Sequence, residues 1–394
     1  MNLASQRWPL HSEDEILAVD RVLASGCTNY WAGQECREFE KEFAHYIGAD
    51  YAVALMNGTV ALEAALRALK IGPGDEVITT CRTFIASASC IVLSGATPVM
   101  ADVDPISQNI SAETIAPCIT PRTKAIIVVH LAGWPADMKS ILALAEQHHI
   151  KVIEDCAQSH GAAIKDKRVG SWGHVAAFSF CQDKILTTGG EGGMITTNDK
   201  TIFETIRSFK DHGKNFEKVY QQHPPGFRWL HDSFGTNWRM TEMQAAIGRV
   251  QLKKLPEWLS IRKRNADILN ASFQSHPALK ITLPPADILH AYYKYYVFLN
   301  PEKLHRGWSR DQIIAEVNAS GVACFSGSCS EIYLEEAFLN HTEFAVKERK
   351  TIAKRLGETS LMFLVHPTLT ATTIQHAADT LLDVLERATE KLCA

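Results

Sequence analysis

Short apolar segments that alternate with helical segments are the feature that most constrains the fold of this chain. Helix-like segments include Gly58–Leu69, Phe84–Leu93 and Met138–Gln147. Because strands joined by helical crossovers pair in parallel and are covered on both faces, we expect an α/β domain around a mostly parallel, seven-stranded sheet. The predicted strands are Ala52–Met56, Glu76–Thr79, Pro98–Ala101, Ala125–Val129, Lys151–Glu154, Ala176–Phe180 and Met194–Thr197.

The sequence pattern changes after Thr236. Thr241 precedes a run with helical apolar periodicity and is predicted to cap a helix. Pro256 is predicted to open a second, charged helix that ends near Phe273. Residues 213–235, rich in His, Pro, Gly and aromatic residues, are predicted to form a long loop.

The last third of the chain predicts a smaller domain. Its predicted elements are a strand at Tyr292–Leu299 and helices at Arg310–Val317 and Ile374–Leu392. We therefore expect a large ligand-binding domain at residues 1–254 and a small C-terminal α+β domain at residues 255–394.

Charge and composition exclude several classes of function. The 394 residues carry 40 Lys and Arg against 44 Asp and Glu, which argues against a nucleic-acid binder with a basic surface. No segment approaches ~18 consecutive apolar residues, so no membrane span is expected. The N-terminus lacks the apolar core of a secretion signal. Ten cysteines without a CxxC pair argue for a reducing compartment and against a disulfide framework or a metal site. We expect a cytoplasmic protein.

Lys184 is the residue that points most directly to chemistry. It follows the apolar strand that ends at Phe180 and precedes a glycine-rich turn at 187–193. A lysine in such a place can be partly desolvated, which frees its amine for Schiff-base chemistry. From this segment alone, a surface lysine in a hairpin is the commoner alternative.

Glu154 and Asp155 end another apolar strand. Ligands bind at the carboxyl ends of strands in open α/β sheets, and a carboxylate there can keep a pyridinium nitrogen protonated. The same residue type is also a common helix cap. His160, five residues later, is by default a structural histidine.

Gly58 and Thr59 join a predicted strand directly to a helix. The N-terminus of that helix offers free N–H groups, a hydroxyl and the positive end of the helix dipole to a phosphate. Helix capping explains the same residues equally well. Phe84, after a further strand, is suited to cover a planar cofactor or simply to fill the core.

Together and in this order, these segments match the layout of a pyridoxal-phosphate site. The sequence resembles the DegT/StrS family of sugar aminotransferases, members of the fold type I (aspartate aminotransferase-like) group, from Phe39 to about Pro367. The matching motifs are Asn57-Gly58-Thr59, Gly72-Pro73-Gly74-Asp75-Glu76-Val77-Ile78, Thr83-Phe84-Ile85-Ala86, Glu154-Asp155-Cys156-Ala157-Gln158, Ser179-Phe180 with Lys184, Gly190-Glu191-Gly192-Gly193 and Asn237-Trp238-Arg239-Met240-Thr241-Glu242.

The resemblance implies a role for each motif residue. Lys184 would form the Schiff base with pyridoxal 5′-phosphate, and Asp155 would pair with the pyridine nitrogen. Gln158 would contact the 3′-oxygen of the cofactor, and Phe84 would stack on its ring. Gly58, Thr59 and Ser179 would hold the phosphate. Asn237 would join them from a second subunit, which implies an obligate homodimer with shared active sites.

The implied reaction moves an amino group from L-glutamate to a keto or aldehyde sugar. We expect a nucleotide-linked keto-6-deoxyhexose of surface polysaccharide or lipopolysaccharide biosynthesis. Relatives that carry histidine at the position of Lys184 are dehydratases, so this lysine favours transamination. An alternative product is 8-amino-3,8-dideoxy-manno-octulosonate, made from the 8-oxo sugar acid. The alternative of another class is a non-catalytic sensor that binds the cofactor. A nicotinamide dehydrogenase would need a GxGxxG motif after a strand.

Polar and aromatic residues outside the cofactor motifs are the candidate substrate contacts. The small-residue loop Cys324–Glu331 is a further candidate, although a tight turn explains it equally well. The individual candidates are Trp31, His160, His212, Trp238, Arg239, His290, Tyr292, Lys294 and Ser326.

Overall fold

The computed structural model describes residues 7–346 and 348–389. The strands in this part of the chain are β1 (Tyr51–Leu55), β2 (Glu76–Thr80), β3 (Thr97–Ala101), β4 (Thr123–Val129), β5 (Lys151–Asp155), β6 (Ala163–Ile164), β7 (Lys167–Arg168), β8 (Val175–Ser179), β9 (Gly193–Thr197), β10 (Leu279–Lys280), β11 (Ile288–Leu289), β12 (Tyr295–Leu299), β13 (Cys324–Phe325) and β14 (Ser360–Phe363). The α-helices are α1 (Glu13–Ser25), α2 (Glu35–Ile47), α3 (Gly58–Ala68), α4 (Ala86–Leu93), α5 (Ala112–Ile115), α6 (Met138–Gln147), α7 (Lys200–Phe209), α8 (Phe216–Tyr220), α9 (Glu242–Phe273), α10 (Arg310–Ala319), α11 (Glu336–Leu339), α12 (Thr351–Thr359) and α13 (Ala371–Thr389).

The large sheet has seven strands in the order β1-β9-β8-β5-β4-β2-β3. Only β9 runs antiparallel to its neighbours, and the other neighbouring strands pair in parallel. The predicted mostly parallel, seven-stranded sheet is therefore confirmed. Because β1, β2, β5 and β8 all run in one direction, the residues that follow them meet at one edge of the sheet.

Helices cover both faces of this sheet, and alternate side chains of each strand pack against them. On one face, Phe178 of β8 packs against Phe43 of α2, with ring centroids 4.9 Å apart. On the other face, Val175 of β8 shares a buried apolar cluster with Leu62 and Leu66 of α3. Successive residues of a strand point to opposite faces, so a strand that is buried on both sides is apolar throughout.

Helix α9 differs from its prediction. Thr241 caps it as expected, with its hydroxyl and Gln244 forming a capping box. Pro256 does not open a second helix, because α9 continues through it from Glu242 to Phe273, over 32 residues. The N-terminal half packs with Leu255 in the core of the large sheet, and the C-terminal half packs with Leu269 in a second apolar cluster. Packing on both sides of the proline outweighs its cost to the helix, roughly 3 kcal/mol.

The C-terminal part contains an antiparallel sheet in the order β10-β12-β14-β13. Its β12 begins at Tyr295, three residues later than predicted, because Tyr292 has a left-handed backbone (φ 46°). The terminal helix α13 begins at Ala371, and the predicted end at Leu392 lies outside the described residues. The boundary between residues 254 and 255 falls within α9 and stays a prediction.

Two further features complete the fold. The predicted loop at 213–235 contains one short helix, α8. Among the described residues, no helix combines the length and the apolar character needed to cross a bilayer.

Candidate active site

A cavity of ≈ 820 Å³ lies where the carboxyl edge of the large sheet meets the C-terminal part of the chain. One wall holds every predicted cofactor contact except Asn237: Gly58, Thr59, Phe84, Asp155, Gln158, Ser179 and Lys184. The facing wall comes from β12 and the two residues before it, from β14 and from the loop after β13: Tyr293, Lys294, Tyr296, Gly327, Ser328, Cys329 and Met362.

The start of helix α3 forms a cradle of phosphate size. Asn57 caps the helix and accepts the Val60 N–H at 2.9 Å. A Cβ added to Gly58 would lie 2.6 Å from the Cβ of Ser179, so only glycine permits this close approach. The first N–H groups of a helix have no partner within it. Together with the hydroxyls of Thr59 and Ser179, they fit a phosphate.

Asp155 is a desolvated carboxyl group that faces the cavity. Its side chain accepts the Ser87 hydroxyl at 2.7 Å and the Ala157 N–H at 3.1 Å. Burial raises the pKa of Asp155, while the Ser87 and Ala157 hydrogen bonds and the charge of Lys184 oppose that rise. A cation brought to this carboxylate would relieve the cost of its burial, as a pyridinium N–H does. Ser87 was missed in the sequence because a serine within a helix carries no local signal.

Glu154 and His130 support the end of β5 beneath Asp155. The Glu154 carboxylate accepts three backbone N–H groups of residues 170–173 and lies 3.1 Å from His130 Nε2. Burial opposes its ionisation, but His130 and the backbone donors prevail and lower the pKa of Glu154. His130 Nδ1 accepts the Ala136 N–H. Although the ligand atoms of His130, Glu154 and Cys156 lie within 4.8 Å of one another, both histidine nitrogens already have partners.

Lys184 extends into the cavity from a turn that belongs to no helix or strand. Its Nζ lies 3.4 Å from the Tyr293 hydroxyl and 3.8 Å from Asp183 Oδ1. The Tyr293 hydroxyl in turn donates to Asp183. The Lys184 N–H donates to the Cys181 carbonyl, and its own carbonyl accepts the indole N–H of Trp8 at 2.8 Å. The backbone of Lys184 is thus fixed by two hydrogen bonds, and its amine lies beside Tyr293 and Asp183.

Lys294 is a second amine in the same cavity. Its Nζ lies 3.7 Å from Asp183 Oδ2, so one carboxylate faces two lysines. Burial is the main reason that the pKa of Lys294 falls to about 8, and Asp183 opposes this fall. Burial and the same carboxylate raise the pKa of Tyr293. Asp183 and Tyr293 are partners of Lys184 that no local sequence pattern predicts.

Gln158 and Phe84 flank the space between these groups. Gln158 Oε1 accepts the Ala132 N–H at 2.8 Å, which orients the side-chain amide so that its nitrogen is left for a ligand. Phe84 is 68% exposed although it is aromatic, and its ring borders the cavity. An apolar ring left open in this way is suited to cover a flat ligand.

Several predicted substrate residues cluster around Asp211 instead of lining the cavity. Trp31 donates its indole N–H to Asp211 at 2.8 Å, and Arg239 forms an ion pair with the same carboxylate. Asn237 pairs with the Asp211 backbone in an isolated bridge and is exposed. His212 lies in the same segment and has φ 62°. Trp238 packs edge-on against Phe209, with ring centroids 5.2 Å apart.

The remaining predicted substrate residues, apart from Lys294, differ in burial: His160 and Tyr292 are buried, His290 is partly buried and Ser326 is exposed. His160 is buried between Phe178 and Phe180, and burial lowers its pKa to about 3, so it is neutral. His290 stacks on Tyr292 with ring centroids 3.9 Å apart. The Ser326 carbonyl accepts the Ser360 hydroxyl at 2.7 Å. None of them borders the cavity, except that the loop containing Ser326 reaches it at Gly327–Cys329. Their roles as substrate contacts stay predictions.

Comparisons with known proteins agree on one family. The model of the DegT/DnrJ/EryC1/StrS aminotransferase family matches residues 9–382. A GDP-perosamine synthase of Caulobacter vibrioides is 42% identical over 289 residues, which are 72% of this chain and 74% of that protein. A UDP-N-acetyl-3-dehydro-alpha-D-glucosamine 3-aminotransferase of Acidithiobacillus ferrooxidans is 39% identical over 314 residues, 79% of this chain and 78% of that protein. The crystal structure of an aminotransferase from Psychrobacter cryohalolentis is 53% identical and superposes with a TM-score of 0.95, covering 98% of this chain and 99% of that one.

Proposed function

Since this chain belongs to the DegT/DnrJ/EryC1/StrS aminotransferase family, we propose that it uses pyridoxal 5′-phosphate to move an amino group from L-glutamate to a keto or aldehyde sugar. One observation carries the proposal. Lys184, Asp155 and the phosphate-sized cradle at Gly58 all face one cavity of ≈ 820 Å³. A reactive amine, a buried carboxylate and an anion site are the three groups that this cofactor requires.

The residues of the cavity fit this cofactor. Gly58, Thr59 and Ser179 would hold its phosphate, and Phe84 would cover its ring. Asp155 would keep the ring nitrogen protonated, because a neighbouring cation lowers the cost of its buried charge. When bound, the cofactor supplies an aldehyde that exchanges the amino group and a ring that takes up negative charge.

Lys184 is the proposed acid and base of the reaction. Its amine, once free, would remove the proton from the α-carbon of L-glutamate and return a proton at the end of the half-reaction. Asp183 and Tyr293 would keep that amine in place, since both lie within 4 Å of its Nζ. The walls contributed by Tyr296 and Met362 would exclude water from the reacting atoms.

A homodimer with shared active sites is part of the proposal. Asn237 lies outside the cavity of its own chain, and exposed aromatic side chains precede it in the same segment. Phe227, Trp229 and Phe234 are 79%, 80% and 99% exposed. Exposed aromatic side chains in one segment are typical of a protein–protein interface, which supports a second subunit covering them. Asn237 would then reach the phosphate of the cofactor bound to that second subunit. We place the dimer in the cytoplasm.

The proposed acceptor is a nucleotide-linked keto-6-deoxyhexose, used for surface polysaccharide or lipopolysaccharide biosynthesis. The names of two relatives, a GDP-perosamine synthase and an aminotransferase of a UDP-linked dehydro-glucosamine, support a nucleotide sugar. The 8-oxo form of 3-deoxy-manno-octulosonate stays as the second candidate, because Lys294 offers a cation to a sugar carboxylate.

The proposal is tested by loading the protein with the cofactor and adding L-glutamate alone. We expect one 2-oxoglutarate per active site, and none from Lys184→Ala. Borohydride reduction should attach the cofactor to the peptide that contains Lys184. Lys139→Ala, an exposed lysine on α6, is the control and should behave as the unaltered protein.

The two acceptors are then compared on the aminated enzyme. Conversion of the nucleotide keto-sugar supports the proposed acceptor, and conversion of only the octulosonate aldehyde supports the second candidate. A protein that binds the cofactor but never releases 2-oxoglutarate would be a sensor instead of an enzyme, and the proposed function would be wrong.

A further inference from the structure

Lys294 is the only cationic side chain besides Lys184 among the described residues that line the cavity. It immediately precedes β12, and its side chain is 18% exposed. Its amine makes no hydrogen bond of 3.5 Å or less within the described part of the chain, and its nearest acidic oxygen is Asp183 Oδ2 at 3.7 Å. This amine therefore has donors available for a ligand.

Asp183 lies near both lysines but is hydrogen-bonded to neither of them, at 3.8 Å from Lys184 Nζ and 3.7 Å from Lys294 Nζ. Its Oδ2 already accepts the Tyr293 hydroxyl, and its Oδ1 faces Lys184 at 3.8 Å. Behind Tyr293, the buried guanidinium of Arg262 donates to the Tyr292 and Tyr293 carbonyls and adds positive charge. Around Asp183, therefore, two lysine amines lie at 3.7–3.8 Å without a hydrogen bond to the carboxylate, so a carboxylate that enters this part of the cavity can pair with Lys294.

Both amines border the same phenol ring. Lys184 Nζ lies 4.9 Å and Lys294 Nζ lies 4.6 Å from the centroid of the Tyr293 ring. A small amino acid that reacts at the position of Lys184 would therefore bring its carboxylates close to Lys294. Arg239 is less available for this role, because it forms an ion pair with the buried Asp211 of its own chain.

We propose that Lys294 is the subsite that binds a carboxylate of the amino donor. This inference rests on the proposed function and adds to it the residue that selects an acidic donor. The pKa of about 8 leaves most of the Lys294 amine protonated at neutral pH, as the role requires. An ammonium that is only partly hydrated binds a carboxylate more strongly than one in free solution.

The test compares Lys294→Met, which keeps the length of the side chain and removes its charge, with Lys294→Arg, which keeps the charge. The cofactor-loaded proteins are titrated with glutarate by calorimetry, and the release of 2-oxoglutarate is measured against L-glutamate concentration. For Lys294→Met we expect glutarate affinity to fall about 10-fold to 100-fold and the KM for L-glutamate to rise by a similar factor. Lys294→Arg should stay within a few-fold of the unaltered protein.

Two amides of the donor identify the carboxylate. L-Glutamine lacks the side-chain carboxylate, and isoglutamine lacks the α-carboxylate. One of these two donors lacks the carboxylate that Lys294 binds. That donor cannot use Lys294, so it should react about equally well with the unaltered protein and with Lys294→Met. Either amide behaving in this way supports the proposal.

Glutarate affinity that is unchanged in Lys294→Met overturns the proposal. If that variant also still releases 2-oxoglutarate, the proposed function stands without it. A protein that never releases 2-oxoglutarate contradicts the proposed function, whereas the glutarate titration still decides the role of Lys294. Loss of glutarate binding in Arg239→Met but not in Lys294→Met overturns the proposal in favour of Arg239. If Lys294→Met slows only the half-reaction with the sugar, the proposal is overturned, because Lys294 then binds an anionic group of the acceptor instead of the donor.

Discussion

The indole N–H of Trp8 donates a 2.8 Å hydrogen bond to the backbone carbonyl of Lys184, 176 residues away in the sequence. The Trp8 ring packs edge-on against Trp258 of α9 and stacks on His366. The guanidinium of Arg262 lies 5.1 Å from the ring centroid. Trp8 thus ties the turn that carries Lys184 to α9 and to the segment after β14, and we expect it to be a positioning residue.

Trp8→Phe keeps an aromatic ring but removes the N–H donor. We expect a twofold to tenfold lower kcat for 2-oxoglutarate release, since one hydrogen bond contributes about 0.5–1.5 kcal/mol. Amide hydrogen exchange at residues 182–186 should become faster, because the turn loses a contact that restrains it. Mass-resolved exchange and steady-state kinetics measure the two effects.

Trp172→Phe is the matched control for that variant. The Trp172 indole also donates to a backbone carbonyl, that of Lys167 at 3.2 Å, but it lies outside the cavity. Its kinetics and its exchange at residues 182–186 should match those of the unaltered protein. Equal behaviour of both variants would show that Trp8 does not position Lys184.

Gly58→Ala tests the phosphate cradle. The new Cβ would lie 2.6 Å from the Cβ of Ser179, so either α3 or β8 must shift and the cradle must widen. We expect the affinity for pyridoxal 5′-phosphate to fall at least about tenfold, or ~1.4 kcal/mol, as measured by absorbance titration. Gly72→Ala is the control, because its new Cβ would meet only the Ser94 carbonyl, at 3.7 Å. Unchanged cofactor affinity in Gly58→Ala would place the phosphate elsewhere.

Asp155→Asn tests the cost of the buried carboxylate. Burial raises the pKa of Asp155 in the folded protein above its ordinary value of 3.8. The folded state therefore binds this proton more tightly than the unfolded state, and the resulting stability is present at low pH and is lost as the pH rises through the folded pKa. Without cofactor, Asp155→Asn should melt at a higher temperature than the unaltered protein at pH 7, and the difference should shrink towards pH 4.

With the cofactor bound, the unaltered protein should have the advantage over Asp155→Asn, because the ring nitrogen needs the carboxylate. Cofactor affinity and 2-oxoglutarate release should both fall in Asp155→Asn. The lowered pKa of Glu154 acts in both proteins and cancels in the comparison. Scanning fluorimetry from pH 4 to pH 8 measures the difference, and a cofactor-free variant that melts at a lower temperature at pH 7 would contradict the expectation.

Gly327→Ala tests the wall that faces the acceptor. Gly327 has φ 90°, and an added Cβ would lie 2.3 Å from the Tyr296 ring, whose hydroxyl accepts the Ser328 N–H. We expect amination of the sugar to slow at least about tenfold, while 2-oxoglutarate release changes less. Gly321→Ala, with φ 84° and no atom within 4 Å of the new Cβ, has only the backbone strain, roughly 1–2 kcal/mol. Equal kinetic effects from both variants would mean that strain alone is responsible.

The sheet and most of the cofactor wall could be predicted because each depends on neighbours in the sequence. The apolar run before Asp155 predicts a buried strand, and an acid at its end is brought to the sheet edge by chain direction alone. Gly58 and Lys184 follow strands in the same way. The helix start predicted at Pro256 is wrong because the local preference of proline against a helix interior is outweighed by packing on both sides of α9.

The sequence by itself determined which chemical groups stand at strand ends, since strand and helix periodicity are properties of a few adjacent residues. Only the tertiary structure decided what those groups touch: Trp8 at Lys184, Ser87 at Asp155, and Asp183 between two lysines and Tyr293. Most of these contacts join residues that are tens to hundreds of positions apart. Their formation depends on the packing of whole elements, for which no local pattern exists.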